Sequence, residues 1–348
     1  MKRIINILQK EASRVLYLAI FVCILTSCNS ILDYDEGDCS IEYRVQFRYD
    51  HNMKYANAFA QEVKRITLFA FDQDGKFVYQ RTEEGDILAQ DNYSMKVDIE
   101  PGDYHLIAWA TLNDGSFAIP LLTPGRSDID ELTVKTNRIV QTRAASGDAI
   151  NLVNTNLASL WHGESLQTFT RAGKQNIITV PLIKDTNTFR IILQQMQGVP
   201  MDVNQFEFSI YDDNGWLNYD NSLLKDIELT YQPYFKTSGS ITRAAKTSDE
   251  ETTQISTAVA EIKVGRLIAE KNPQLRITNK ETKEIVLSIP LIDYLLLTKP
   301  QEHNMTAQEY LDRQDEYSMT FFLDPNLAWL KTEIIINAWT IRLNETEL

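Results

Sequence analysis

The side chain best placed to do chemistry in this sequence is the thiol of Cys28, because of what precedes it. A basic opening with Lys2, Arg3, Lys10 and Arg14 leads into an apolar run from Val15 to Leu25, and then to Thr26, Ser27 and Cys28. The run is short for a membrane span, and its charged start and small-residue exit have the layout of a secretory signal peptide (residues 1–27) cut between Ser27 and Cys28. The competing readings are an ordinary signal peptide with Cys28 there by chance, and a membrane helix from Val15 onward. Other chemistry finds little support. His51, His105, His162 and His303 are far apart and unsuited by spacing to share a metal, and Cys39 has no partner. The nucleophile-elbow, phosphate-loop and dinucleotide glycine patterns are absent. Asp72-Gln73-Asp74-Gly75 invites a calcium reading, but the position four before Asp74 is Ala70, and a hairpin turn explains the same residues. No spacing singles out two carboxylates as a glycosidase pair, so Asp and Glu read as solvated surface. No catalytic residue, cofactor, metal or small-molecule substrate is expected.

Leu25-Thr26-Ser27-Cys28 resembles the lipobox of bacterial lipoproteins, in which the cysteine is fatty-acylated and becomes the first mature residue. With Cys23 removed and Cys28 lipidated, Cys39 is the only free thiol, and stability must come from packed cores rather than from a disulfide within the chain. The formal charge is −14; residues 1–27 hold four Lys/Arg and one Glu, which leaves −17 on the remainder. So acidic a surface argues against nucleic acid and against lying flat on anionic lipid, so the lipid itself is the attachment. Residues 28–38 are polar, acidic and aperiodic, as a tether is. Asn29 and Ser30 replace the Asp that often signals inner-membrane retention. Asp33, Asp35, Glu36 and Asp38 resemble the surface-export signal of Bacteroidetes lipoproteins, which implies an outer-membrane, outward-facing address. A solvated linker without that meaning is the alternative.

The elements that follow read as β throughout. Ile41, Tyr43, Val45, Phe47 and Tyr49 alternate with Glu42, Arg44, Gln46, Arg48 and Asp50, a half-buried strand. A helix-forming stretch from Ala56 to Lys64 precedes a strand from Ile66 to Phe71, and Asp72 to Gly75 reverses the chain into Phe77-Val78-Tyr79. Tyr93 to Ile99 and Tyr104 to Thr111 are strands joined at Pro101-Gly102. Residues 112–174 are less regular, with an exposed loop at Thr142 to Gly147 and helical turns from Asn156 ending at Gly163. After a β-rich run from Ile177 to Leu182 the pattern restarts: Phe189 to Leu193, then Phe206 to Tyr211 with another acidic turn closed by Gly215 and Trp216. That repeat divides the chain near Lys184-Asp185 into domains 39–184 and 185–348. Ser238 to Thr257 is polar enough for a long loop. Strands are expected at Val259 to Val264, Leu275 to Ile277, Ile285 to Ile289, Tyr317 to Leu323 and Glu333 to Leu343, with a helix from Ala307 to Gln314 capped by Thr306. Trp109, Trp216, Trp329 and Trp339 fall in strand-like runs and are expected mainly to pack in cores. The fold class is all-β, two sandwiches in series with short helices in loops.

Several blocks together resemble one family. They are Asp38-Cys39 through Tyr49-Asp50-His51-Asn52-Met53, Ala58 to Gly75, Glu100 to Tyr104 leading to Trp109, Leu160-Trp161-His162-Gly163, Val180 to Lys184, and Ile335 to Arg342. The chain resembles the minor fimbrial anchoring subunits of Bacteroidales type V pili, lipoproteins related to the fimbrillins. The resemblance implies two tandem transthyretin-like β-sandwiches, fimbrillin shaft subunits as partners, anchorage of the fimbrium at the outer membrane, a limit on its length, and joining by β-strand addition. Shaft relatives lose a first strand to an arginine-specific protease; a lipid-held subunit must keep it, so no cleavage at Arg44 or Arg48 is expected during assembly. Two departures stand out. Little sequence follows Leu343, so Glu333 to Leu343 is expected to close its own sandwich or to be donated. Ala338 takes the place of a usual Gly, a change expected to have little consequence. A surface glycan-binding lipoprotein is the alternative function; it predicts aromatics exposed along one face.

Overall fold

The computed structural model describes residues 41–111, 115–142, 149–171, 175–196, 200–243, 253–301 and 304–343. Ser27, Cys28, the 28–38 tether, Cys39, His303 and most of the 142–147 loop lie outside the described residues.

The alternation of the opening segment becomes strand Glu42–Arg48, with Tyr43, Val45 and Phe47 buried. It is the middle strand of a three-stranded sheet, between Gln175–Pro181 and Met95–Val97. A five-stranded antiparallel sheet faces it, ordered Ile183–Lys184, Leu160–Phe169, Gly102–Thr111, Arg65–Phe71 and Phe77–Glu84. Tyr43 meets Phe169 edge-on at 4.9 Å between ring centres, and Tyr49 meets Trp161 at 6.0 Å, which ties the two sheets together. The larger sheet is covered on its other face as well. Phe69, Phe71, Ile107 and Trp109 pack there with Leu132, Val134 and Leu217. Burial on both faces explains why Leu68 to Phe71 and Leu106 to Ala110 are continuous apolar runs rather than alternating ones. The acidic turn is a hairpin turn: the Asp72 carboxylate accepts the N–H groups of Asp74 and Lys76 at 3.0 and 2.9 Å, and Gly75 supplies φ +73°.

The second sandwich has two six-stranded sheets around one core. The first runs Phe235–Arg243, Thr253–Val264, Asn187–Met196, Glu316–Leu323, Trp329–Ile336, Trp339–Arg342. Within it Asn187–Met196 and Glu316–Leu323 are parallel, and the Phe189 and Tyr317 rings stack at 5.2 Å. The second runs Ile285–Pro290, Gln274–Asn279, Phe206–Asp212, Leu229–Tyr231, Ala149–Val153, Ile139–Thr142. Its last two strands come from before Lys184, while Trp216–Leu217 pairs back onto Val134–Thr136. Hydrogen bonding therefore crosses position 184 in both directions. Helix Ala307–Arg313 starts as its cap predicts, Thr306 Oγ1 accepting the Glu309 N–H at 3.0 Å.

Three sequence expectations are corrected. Leu160 to Gly163 is not a helix end but the start of the ten-residue strand Leu160–Phe169. A Cβ on Gly163 would lie 2.6 Å from the Pro181 carbonyl oxygen, so the glycine is there for a close crossing, not a cap. The polar stretch 238–257 is largely strand: Phe235–Arg243 and Thr253–Val264 pair from Phe235↔Glu261 to Arg243↔Thr253. Its polarity marks a sheet edge, where little is buried. Glu333 to Leu343 is not one strand but the end of Trp329–Ile336, a reversal, and Trp339–Arg342.

That reversal gives Ala338 a cost. Ile336 pairs with Trp339, so Asn337 and Ala338 alone make the turn, at φ +47° and +68°. Two left-handed residues define the hairpin turn that favours Asn-Gly. Ala338→Gly is expected to raise stability by about 0.5–1 kcal/mol, read as a higher urea midpoint at unchanged slope.

Candidate functional site

The opening strand is held by more than its ladder. Arg44 donates to Ser94 Oγ and to the Ser94 carbonyl, both at 2.7 Å. The Tyr43 hydroxyl donates to the Thr170 carbonyl at 3.1 Å, and the Leu182 N–H to the Arg48 carbonyl at 2.8 Å. Just past the strand, Asn52 donates to the carbonyls of Tyr49 and Ala56 at 3.1 and 2.8 Å. Those bonds fix the bend at His51-Asn52-Met53, where alternation stops.

From this strand, contacts lead into the second sandwich. Lys184 bonds both Glu62, at 3.0 Å, and Asp315, and sits 5.2 Å over the Trp161 ring. Burial lowers the Lys184 ammonium pKa, but Asp315 and Glu62 outweigh it and the net shift is upward, so Lys184 stays charged. Arg313 lies over the Tyr55 ring at 4.6 Å.

A second knot lies beside the first. Arg266 binds Asp312 through two nitrogens at 3.0 and 2.8 Å, donates to the Asn221 carbonyl at 2.6 Å, and stands 3.7 Å from Asp185. Asp185 is fully buried, and its Oδ1 accepts the Asn221 amide at 2.9 Å. Burial pushes its carboxyl up to about 7, against the pull of Arg266 and Asn221. The expectation that Asp and Glu are all solvated fails here and at buried Asp212 and Asp312. The available signal was Lys184-Asp185-Thr186-Asn187, a polar run wedged between two strands.

The three described histidines serve structure. His162 is buried under Trp109, its ring nitrogen 2.7 Å from the Tyr219 carbonyl, and burial lowers its pKa to about 4. His105 pairs with Glu164 at 2.6 Å, while burial, then Arg313, lowers His51. Among the described residues no three His, Cys, Asp or Glu side chains converge where a metal could sit, and no helix is long and apolar enough to cross a membrane. Trp109 is buried and Trp216 and Trp329 are half-buried, but Trp339, expected in a core, is 67% exposed at the edge of its sheet.

Paired sheets with unpaired outer strands, tied to each other by buried ion pairs, define an all-β sandwich protein. The family model described as fimbrillin-A associated anchor proteins Mfa1 and Mfa2 matches residues 35–345, and the chain belongs to that family. Two solved Bacteroides thetaiotaomicron proteins are similar throughout. A candidate adhesin is 38% identical over 87% of this chain and 97% of its own, and a candidate polysaccharide-binding protein is 32% identical over 89% and 100%, both at TM-score 0.73. The fimbrial anchor protein Mfa2 of Porphyromonas gingivalis shares the fold at TM-score 0.60 and 18% identity, over 87% of this chain and 99% of its own. Comparison with curated proteins finds no match. The fold class is thus all-β as expected, the role is that of a fimbrial subunit associated with other fimbrial subunits at the cell surface, and the family is not one of enzymes.

Proposed function

We propose that this chain is the lipid-held anchor of a fimbrium, acylated at Cys28 after cleavage behind Ser27, and that it joins shaft fimbrillins to the outer membrane by β-strand addition. Because its own first strand is retained, no groove opens there for another subunit, and the filament stops growing at this subunit. The observation that carries the reading is the central position of strand Glu42–Arg48 between two neighbours. A strand that a protease removes to open a groove leaves most readily from an edge; this one is hydrogen-bonded on both sides. The acidic tether before it supplies reach rather than adhesion.

The test is Cys28→Ser in the native cell. Filaments carrying this subunit are expected in the medium instead of on cells, counted by electron microscopy and by blotting of the two fractions. Retention of full-length filaments on cells, with the C28S variant at normal abundance, overturns the reading.

A further inference from the structure

The chain has 34 basic and 48 acidic residues, yet Lys236, Lys280 and Lys283 line one cleft of about 340 Å³. None of the three makes an ion pair among the described residues. One carboxylate, Glu207, lines the same cleft and accepts from Gln232 at 3.3 Å, so the lysines outnumber it three to one. Outside the lining, Asp202 accepts the Asn204 N–H at 2.9 Å and Glu284 accepts from Thr282 at 3.2 Å, and Glu281 is exposed. Burial, then Lys280, lowers the Lys236 pKa against Asp202 and Glu207, as expected of ammonium groups short of counter-charge.

A second feature adjoins the cleft. Lys236 belongs to Phe235–Arg243, the outermost strand of its sheet, whose only strand neighbour among the described residues is Thr253–Val264. Residues 235–241 are exposed throughout, with Phe235 and Ile241 at 45% and 69%. Natural edges are blunted by proline, bulges, short length or inward charge; this nine-residue edge has no proline and pairs in unbroken register, and the one charge within 235–241 is Lys236, which disfavours a basic or neutral strand and is neutralised by an acidic one. Ser238 accepts the Val203 N–H at 2.7 Å, which turns Ser238, and by period two Lys236, toward the second sheet and the cleft.

We infer that this free edge and the lysine cleft beside it receive an extended, acidic segment of a fimbrial shaft subunit, its main chain pairing with Phe235–Arg243 and its carboxylates meeting Lys236, Lys280 and Lys283. The inference rests on the anchor reading above and supplies the joining surface. Free ladder groups beside the lysines select a polypeptide strand over a free phosphate or a sugar acid. A second copy of this chain is disfavoured, because its own edge within 235–241 carries a lysine and no carboxylate to offer the cleft.

The test compares binding of shaft subunits, purified from the same cells, to full-length detergent-solubilised protein and to the combined variant K236E/K280E/K283E. Binding is expected to weaken at least about tenfold in the variant, and in the wild type as NaCl rises from about 0.05 to about 0.5 M. The control reverses exposed Lys54, Lys225 and Lys331 and is expected to bind normally. A synthetic peptide of about twelve alternating Val and Glu residues is expected to compete, and its Val and Lys counterpart not to. Equal binding by the cleft variant, equal loss in the control, or no competition by the Glu peptide overturns the edge assignment and leaves the anchor reading standing. Failure of the wild type to bind any shaft subunit overturns both.

Discussion

Replacing Arg266 by alanine is expected to cost about 3–5 kcal/mol of stability at pH 8, because it strands two buried carboxylates. Asp312 loses a two-nitrogen partner and Asp185, with no exposed surface, loses its nearest cation. The loss is expected to depend on pH in a definite direction. The Asp185 carboxyl is raised to about 7 by burial, whereas a carboxyl in an unfolded chain titrates near about 4. Between those values the folded protein holds a proton that the unfolded chain has released, so this group makes stability fall as pH rises from about 4 to about 7 and level off above. Removing Arg266 raises the Asp185 pKa further and enlarges the neutral-pH penalty, while at pH 5 the protonated acid needs no counter-ion. Urea unfolding is therefore expected to show a larger gap between wild type and R266A at pH 8 than at pH 5. Asp185→Asn is expected to flatten the slope between those limits. A gap that is the same at both pH values, or below about 1 kcal/mol at pH 8, rules out the buried-charge account.

That knot also shows where reading the sequence stops. The opening strand was legible because its neighbours bury one side only, so Tyr43, Val45 and Phe47 repeat with period two. The Asp72 to Gly75 turn and the Thr306 cap were legible because every group involved lies within a few residues. Arg266 and Asp312 are 46 residues apart, and nothing in either segment marks the other. Two of the misreadings share a cause. Gly163 looks like a helix stop until Pro181 is known to cross over it, and the 238–257 stretch looks like a loop because an edge hairpin buries too little to need apolar residues. Trp339 has the type of a core residue but sits beyond a two-residue turn that carries it to the rim. For Gly163 and the 238–257 stretch the deciding neighbour is remote in sequence, whereas for Trp339 it is the adjoining turn. The family blocks fared better because they carry such pairings implicitly: Leu160 to Gly163 and Val180 to Lys184 are the two sides of that crossing. Ala338 is the exception, since its cost is local and follows from the sign of φ.

On the proposed anchor reading, Val45→Asp is expected to turn this chain into a shed subunit without touching Cys28. Val45 is fully buried opposite Met95, in a strand with neighbours on both sides, and the donors of Tyr43 and Arg44 that hold the strand are committed to Thr170 and Ser94. Burying an unpaired carboxylate, or protonating it, costs more than about 4 kcal/mol, enough to free this strand locally while the separate core of the second sandwich persists. The consequence is proteolytic. A protease needs its substrate extended with main-chain groups free, and the native strand offers none while both ladders are in place. Arg44 and Arg48 are thus expected to be protected in the wild type despite the exposure of the Arg48 side chain, which is engaged by Asp50 at 2.6 Å. With an arginine-specific protease, the V45D protein on cells is expected to be cut at Arg44 or Arg48, leaving a short amino-terminal fragment with the membrane and releasing the body. Mass spectrometry of both fractions locates the cut. The control Gln46→Ala, on the opposite side of the strand, is expected to stay intact. Protection of V45D equal to wild type means that something other than this strand's two ladders guards the arginines, and rapid cutting of the wild type means that the strand is no mechanical link.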